Sequence, residues 1–270
     1  MRQRAVKVPC RLVVTLALLA LCAPLANAQP LGRDRVRYDL ERVTVYFQSG
    51  RLPAPQMEHF ARLVDQGVRD VESYLTRDAA GVQMETARLT FYVSDRVRIS
   101  RAWRNRVALP LRRVETGSAP YLHEVAHALV PGRNRETWLN EGFASYVECW
   151  VAENLGGYAA NVFSSAGNPG IDADAARHLR TRHGQNALVY IGQPGTPHRF
   201  HEDRRRVAPP FYVLAHSFFK YLAEQAGLPR AVRLLEEEHA GPALERATGR
   251  PLEAWKADWL AHLAHRDRLD

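Results

Sequence analysis

A chain of 270 residues, 46% hydrophobic and 24% charged, has the composition of a globular protein with enough apolar residues for a substantial core, not of a disordered or fibrous one. Its net charge of +8 points towards polyanions, but Arg2, Arg4, Lys7 and Arg11 crowd the first residues, and without them the excess falls to +4. The high pI thus overstates the case for a nucleic-acid partner, and none is expected.

Met1 to Arg11 carries those cations and no acid, Leu12 to Leu21 is apolar, and Ala26-Asn27-Ala28 is a small-x-small cleavage signal. This order is expected of a secretory signal peptide, residues 1–28, with an apolar run too short to span a bilayer. Leu21 is a poor residue before a lipidated Cys22, so a lipoprotein anchor is the lesser reading. The expected location is the bacterial periplasm or the medium. Cys10 and Cys22 leave with the leader. Cys149 then stays as the one cysteine of the mature chain, read as a buried small apolar residue rather than a nucleophile. Residues 29–270 are expected to form one domain without a transmembrane segment.

Arg42 to Gln48 alternates β-branched and aromatic residues, which predicts a strand. Pro55 to Thr76 places Met57, Phe60, Leu63, Val64, Val68, Val71 and Leu75 at helical spacing, which predicts a helix packed on the sheet. Arg88 to Ser94 predicts a second strand. Arg96 to Arg113 holds seven arginines around Trp103. It reads as a solvated strand–loop segment, or as a grip for an anionic partner such as an envelope surface or an acidic substrate.

Ser118 is placed to cap a helix over Ala119 to Val130, which Pro131-Gly132 ends. After a polar connection, Leu139 to Leu155 predicts another helix, closed by Gly156-Gly157. Val162 to His201 reads as irregular loops around a short helix near Ala173 to Arg180; its His178, His183, His198 and His201 could form another metal site, but their scatter favours solvent-exposed residues. Pro209 and Pro210 are expected to open a helix over Phe211 to Ala226. Further helices follow Pro229 and Pro251, the last over Leu252 to His265. Strand and helix thus mix in residues 29–157, and helix dominates 158–270: an α+β chain.

Chemistry concentrates between Tyr121 and Glu148. His123, Glu124 and His127 form H-E-x-x-H. On a helix, residues four apart lie on one face, so both imidazoles can reach one metal ion. Glu124, one step round, can reach a water there. Trp138-Leu139-Asn140-Glu141-Gly142-Phe143-Ala144 supplies Glu141 as a third ligand. Two imidazoles and a carboxylate with one position left open make a catalytic rather than a structural zinc site, at one Zn²⁺ per chain. Glu148, seven residues after Glu141, shares its helix face and is placed to accept the second ring N–H of a ligand histidine, His123 before His127.

H-E-x-x-H followed by W-L-N-E-G-F-A-x-Y resembles the gluzincin zinc metallopeptidases, the second run being closest to the M1 aminopeptidases. Thirteen residues separate His127 from Glu141, fewer than in M1 enzymes, and the M1 G-A-M-E-N motif is absent. The chain is therefore more similar to a compact, stand-alone member of the peptidase MA-like group than to a true aminopeptidase. The resemblance implies a thermolysin-like catalytic domain and a peptide or protein substrate, with Glu124 as general base. It further implies Tyr212 as donor to the tetrahedral oxyanion, because Tyr212 to Leu222 is similar to the helix that begins with the M1 catalytic tyrosine. His216, one turn on, can assist. It also implies a substrate edge beside the H-E-x-x-H helix, for which Val107 to Leu111 (Val107, Leu109 and Leu111 alternating) is the candidate. A second function class is a zinc-holding envelope protein that binds peptides or partners without efficient turnover. A metal-dependent hydrolase of a non-peptide amide would use the same residues.

Overall fold

The computed structural model describes residues 35–158, 167–194 and 200–266, without the side chains of 200–205 and 266. The leader with Cys10 and Cys22, and His198, lie outside the described residues, as does the side chain of His201. The fold is α+β: a five-stranded mixed sheet built before residue 111, then helices to the end of the described chain.

The strands are β1 (Arg35–Asp39), β2 (Val43–Gln48), β3 (Leu89–Ser94), β4 (Arg101–Trp103) and β5 (Arg106–Pro110), in spatial order β1-β2-β3-β5-β4. β2, β3 and β5 run parallel, while β1 and β4 are antiparallel to their neighbours. The alternation of β2 explains its orientation: Val43, Val45 and Phe47 are fully buried, whereas Tyr46 stacks on Tyr92 on the other face. α1 (Ala54–Asp78) makes the crossover between the parallel strands β2 and β3 and packs its stripe, Met57 to Leu75, against the sheet and the next long helix.

A short α2 (Leu111–Glu115) leads to α3 (Tyr121–Leu129), which carries the H-E-x-x-H residues. All of α3 except His127 is buried, because it lies between the sheet, α1 and α4 (Thr137–Leu155). At the α1–α3 crossing, a Cβ on Gly67 would meet the Leu122 side chain at 2.9 Å, so the helices approach closely there. The expected cap at Ser118 is not formed. α3 begins after Pro120 without a side-chain cap, and the Ser118 hydroxyl instead lies 2.8 Å from that of Thr116, because the chain still turns through residues 116–118.

The C-terminal half holds α5 (Gly167–Leu179), α6 (Arg182–Leu188), α7 (Phe200–Ala226), α8 (Leu228–Arg233), a single 3-10 turn (Leu234–Glu236), α9 (Ala240–Thr248) and α10 (Leu252–Arg266). Three expectations change here, the first being that His178 and His183 are half-buried rather than solvent-exposed. Much of 162–201 is helical rather than irregular, since Ile171, Ala175 and Ala187 bury themselves against the core. Pro209 and Pro210 lie inside α7 rather than opening it. Two prolines remove two amide donors, but the buried Val207 and Phe211 on either side anchor the helix across them.

α7 is the spine of this half. It packs on α4, α5, α6, α8 and α10. Phe218 sits between Trp138 (5.2 Å between ring centroids) and Trp259 (5.0 Å), contacts of about 0.5–1.5 kcal/mol each beyond their area. A buried polar network ties the same helices. Asp172 on α5 accepts from Ser217 Oγ (2.8 Å) and Lys220 Nζ (2.7 Å) on α7, and Trp259 Nε1 on α10 donates to Ser217 Oγ (2.9 Å). Burial opposes the Asp172 charge, but Lys220 holds the carboxyl below its ordinary range. No helix among the described residues is long and apolar enough to cross a membrane.

Candidate metal centre

The helical spacing of α3 turns His123 and His127 to one side, and the α3–α4 packing brings Glu141 to them. His123 Nε2 lies 3.2 Å from His127 Nε2 and 3.1 Å from Glu141 Oε2, and His127 Nε2 lies 3.7 Å from Glu141 Oε2. Among the described residues this is the one cluster of three such side chains able to share an ion. A tetrahedral zinc with bonds of about 2.0–2.1 Å separates neighbouring ligand atoms by about 3.3–3.4 Å, and the observed triangle straddles that value. Three atoms that carry lone pairs repel one another when turned to one point, unless protons or a cation lie among them. The donor set therefore fits zinc.

The electrostatics follow from this closeness. Burial opposes the Glu141 charge, yet hydrogen bonds and charges from His123 and His127 hold its carboxyl well below the usual range. Burial also opposes a charged His127, but Glu141 and Glu124 outweigh it and raise the imidazole. Glu124 is raised by burial, against the opposing charges of His123 and His127. A carboxylate that holds protons more readily than in water suits proton transfer.

Glu148, fully buried on α4, places Oε2 3.7 Å from His123 Nδ1, the ring atom turned away from the cluster. The expected result for Glu148→Gln is a zinc affinity about 10–100-fold weaker with the fold retained. Competitive chelator titration measures it, and unchanged affinity contradicts the role.

Tyr212, half-buried on α7, stands with its ring centroid 6.4 Å from that of His123. His216 lies one turn further along α7. It is fully buried, its Nε2–H donates to Asn168 Oδ1, and burial pushes its pKa down to about 3, so it is a neutral helix-to-helix tie. Cys149 is fully buried. The candidate substrate edge moves: Val107 and Leu109 are fully buried on β5, which lies between β3 and β4, and Leu111 begins α2. The sheet edge beside α3 is β4. β5 is interior because β3 pairs with it across the intervening hairpin.

Two features of the fold support Glu141. In the connection before α4, buried Asn134 accepts from Glu136 N (2.7 Å) and donates to Leu234 O and Glu237 O. Buried Glu136 accepts from Trp138 Nε1 (2.7 Å) and Ala240 N (2.9 Å). Together they fasten the start of α4 to the C-terminal half.

The second support is Gly142, where a Cβ would stand 2.4 Å from Ala215 O and 2.9 Å from Phe219 Cβ. Gly142→Ala is expected to push α7 off α4, to lower stability by about 1–3 kcal/mol and to weaken zinc retention. Denaturant unfolding with metal quantification measures both, and a wild-type midpoint contradicts the tight crossing.

No protein-family model matches the chain, and no curated protein matches it either, so the chemistry of the site rests on its own residues.

Proposed function

We propose that the protein is an exported zinc metallopeptidase of the gluzincin type, with a thermolysin-like arrangement of its catalytic half. One observation carries the reading: the His123–His127–Glu141 triangle of tetrahedral size with buried Glu124 on the same helix. Zinc bound there supplies Lewis acidity, polarising a carbonyl and lowering the pKa of water towards ~7.

The chain supplies the rest. Glu124 takes a proton from the attacking water and passes it to the leaving amine. Tyr212 donates a hydrogen bond to the oxyanion of the tetrahedral intermediate. Glu148 orients the His123 ring. The buried walls of α3 and α4 exclude bulk water from the base.

The test pairs mature wild type with Glu124→Gln, each with its zinc quantified and each incubated with a diverse peptide mixture. New peptide termini are read by mass spectrometry. Cleavage by zinc-loaded wild type alone supports the reading. Zinc without cleavage in either protein favours a zinc-holding binding protein instead.

A further inference from the structure

The β4–β5 hairpin carries an uncompensated cationic strip next to the candidate centre. Residues 96–113 hold seven arginines and no Asp or Glu. Arginines elsewhere pair with acids, as Arg37 does with Asp39, Arg62 with Glu58, Arg77 with Asp78 and Arg250 with Asp258. Among the described residues no ion pair involves an arginine of the strip, although Arg51 beside it pairs with Asp95.

The strip also displays apolar surface. Trp103 is 57% exposed and Ile99 55%, among the few large hydrophobic side chains left open to solvent. The Arg104 and Arg106 guanidiniums lie 5.3 Å and 5.9 Å from the Trp103 ring centroid, so the indole is flanked by charge. Arg104 holds a left-handed φ of 51° at the two-residue turn, which fixes the hairpin tip. β4 is the last strand of its sheet, and one side of its backbone has no strand partner among the described residues. It packs beside α3, and the charge of Arg113, at the other end of the strip, acts on Glu124.

We propose that this hairpin selects acidic substrates: an extended Asp/Glu-rich peptide pairs with the free edge of β4, its carboxylates on Arg101, Arg104 and Arg106 and an apolar residue on Trp103. An edge strand offers one backbone side to a peptide and alternate side chains for selection, which an isotropic anionic surface does not use. Guanidinium forks match carboxylates in pairs. The inference rests on the metallopeptidase reading for the fate of the peptide, but recognition is measurable without turnover.

The test uses zinc-loaded full-length mature protein in the Glu124→Gln form. The probes are a fluorescein-labelled Glu/Asp-rich decapeptide and its Gln/Asn counterpart. The acidic peptide is expected to bind at least about tenfold more tightly at low salt, with the gap shrinking as salt rises. The triple variant Arg101→Gln/Arg104→Gln/Arg106→Gln is expected to lose that gap while keeping wild-type zinc content and melting midpoint. Trp103 emission is expected to change on binding.

Equal binding of the two peptides, or a preference that survives the triple variant, overturns the proposal. So does strong binding to phosphatidylglycerol vesicles with no peptide preference, which assigns the strip to a membrane surface. Zinc-loaded wild type separates this inference from the reading beneath it. Cleavage of both peptides at one rate overturns acidic selection and leaves the peptidase standing. Selective binding with no cleavage leaves recognition standing and overturns hydrolysis.

Discussion

Replacing Glu124 by glutamine is expected to leave one zinc per chain and to lower peptide hydrolysis by about 10²–10⁴-fold, the usual range for loss of a positioned general base. Glu124 shares α3 with both imidazoles but is not in the ligand triangle, so an isosteric amide keeps the helix and the donor set intact. The carboxyl is buried and its proton affinity is raised by that burial, while the two histidines beside it oppose the shift. Glutamine accepts a hydrogen bond but cannot take a proton at neutral pH. Single-turnover rates at saturating peptide, with zinc measured in the same samples, check the outcome. Turnover near that of wild type in a zinc-loaded variant removes Glu124 from the chemistry.

Tyr212→Phe is expected to lower kcat by about 10²–10³-fold, with KM and zinc content little changed. The ring stands beside His123 on a helix whose next residues are locked into the core. Removing one hydroxyl therefore takes away a donor without disturbing the packing. A packed aromatic with no role in chemistry would lose almost nothing on conversion to phenylalanine. The split between kcat and KM separates a donor to the transition state from a residue that only holds substrate. A rate within about threefold of wild type contradicts the assignment.

Much of the scaffold is legible in the sequence. The alternation of β2 and the stripe on α1 are local patterns, and both elements lie within two residues of where their apolar periodicity puts them. His123, His127 and Glu141 were named by motif, and the fold brings them within one ion's reach. What stayed hidden is non-local. Nothing in Val107 to Leu111 reveals that β3 pairs with β5 and leaves β4 at the edge, since strand order is set across the whole sheet. Ser118 has the right side chain for a cap but a turn in the way. The two prolines of α7 were outweighed by the packing on either side of them. Asn134 and Glu136 look like loop residues because their partners, Leu234, Glu237 and Ala240, lie about a hundred residues away.

The proposed catalytic zinc site consists of His123, His127 and Glu141. Crystals of the mature protein, with anomalous diffraction recorded on both sides of the zinc absorption edge, would locate the ion. One edge-dependent peak per chain is expected, about 2.0–2.2 Å from His123 Nε2, His127 Nε2 and a Glu141 carboxylate oxygen. A peak elsewhere, or none from protein supplied with zinc, would contradict it.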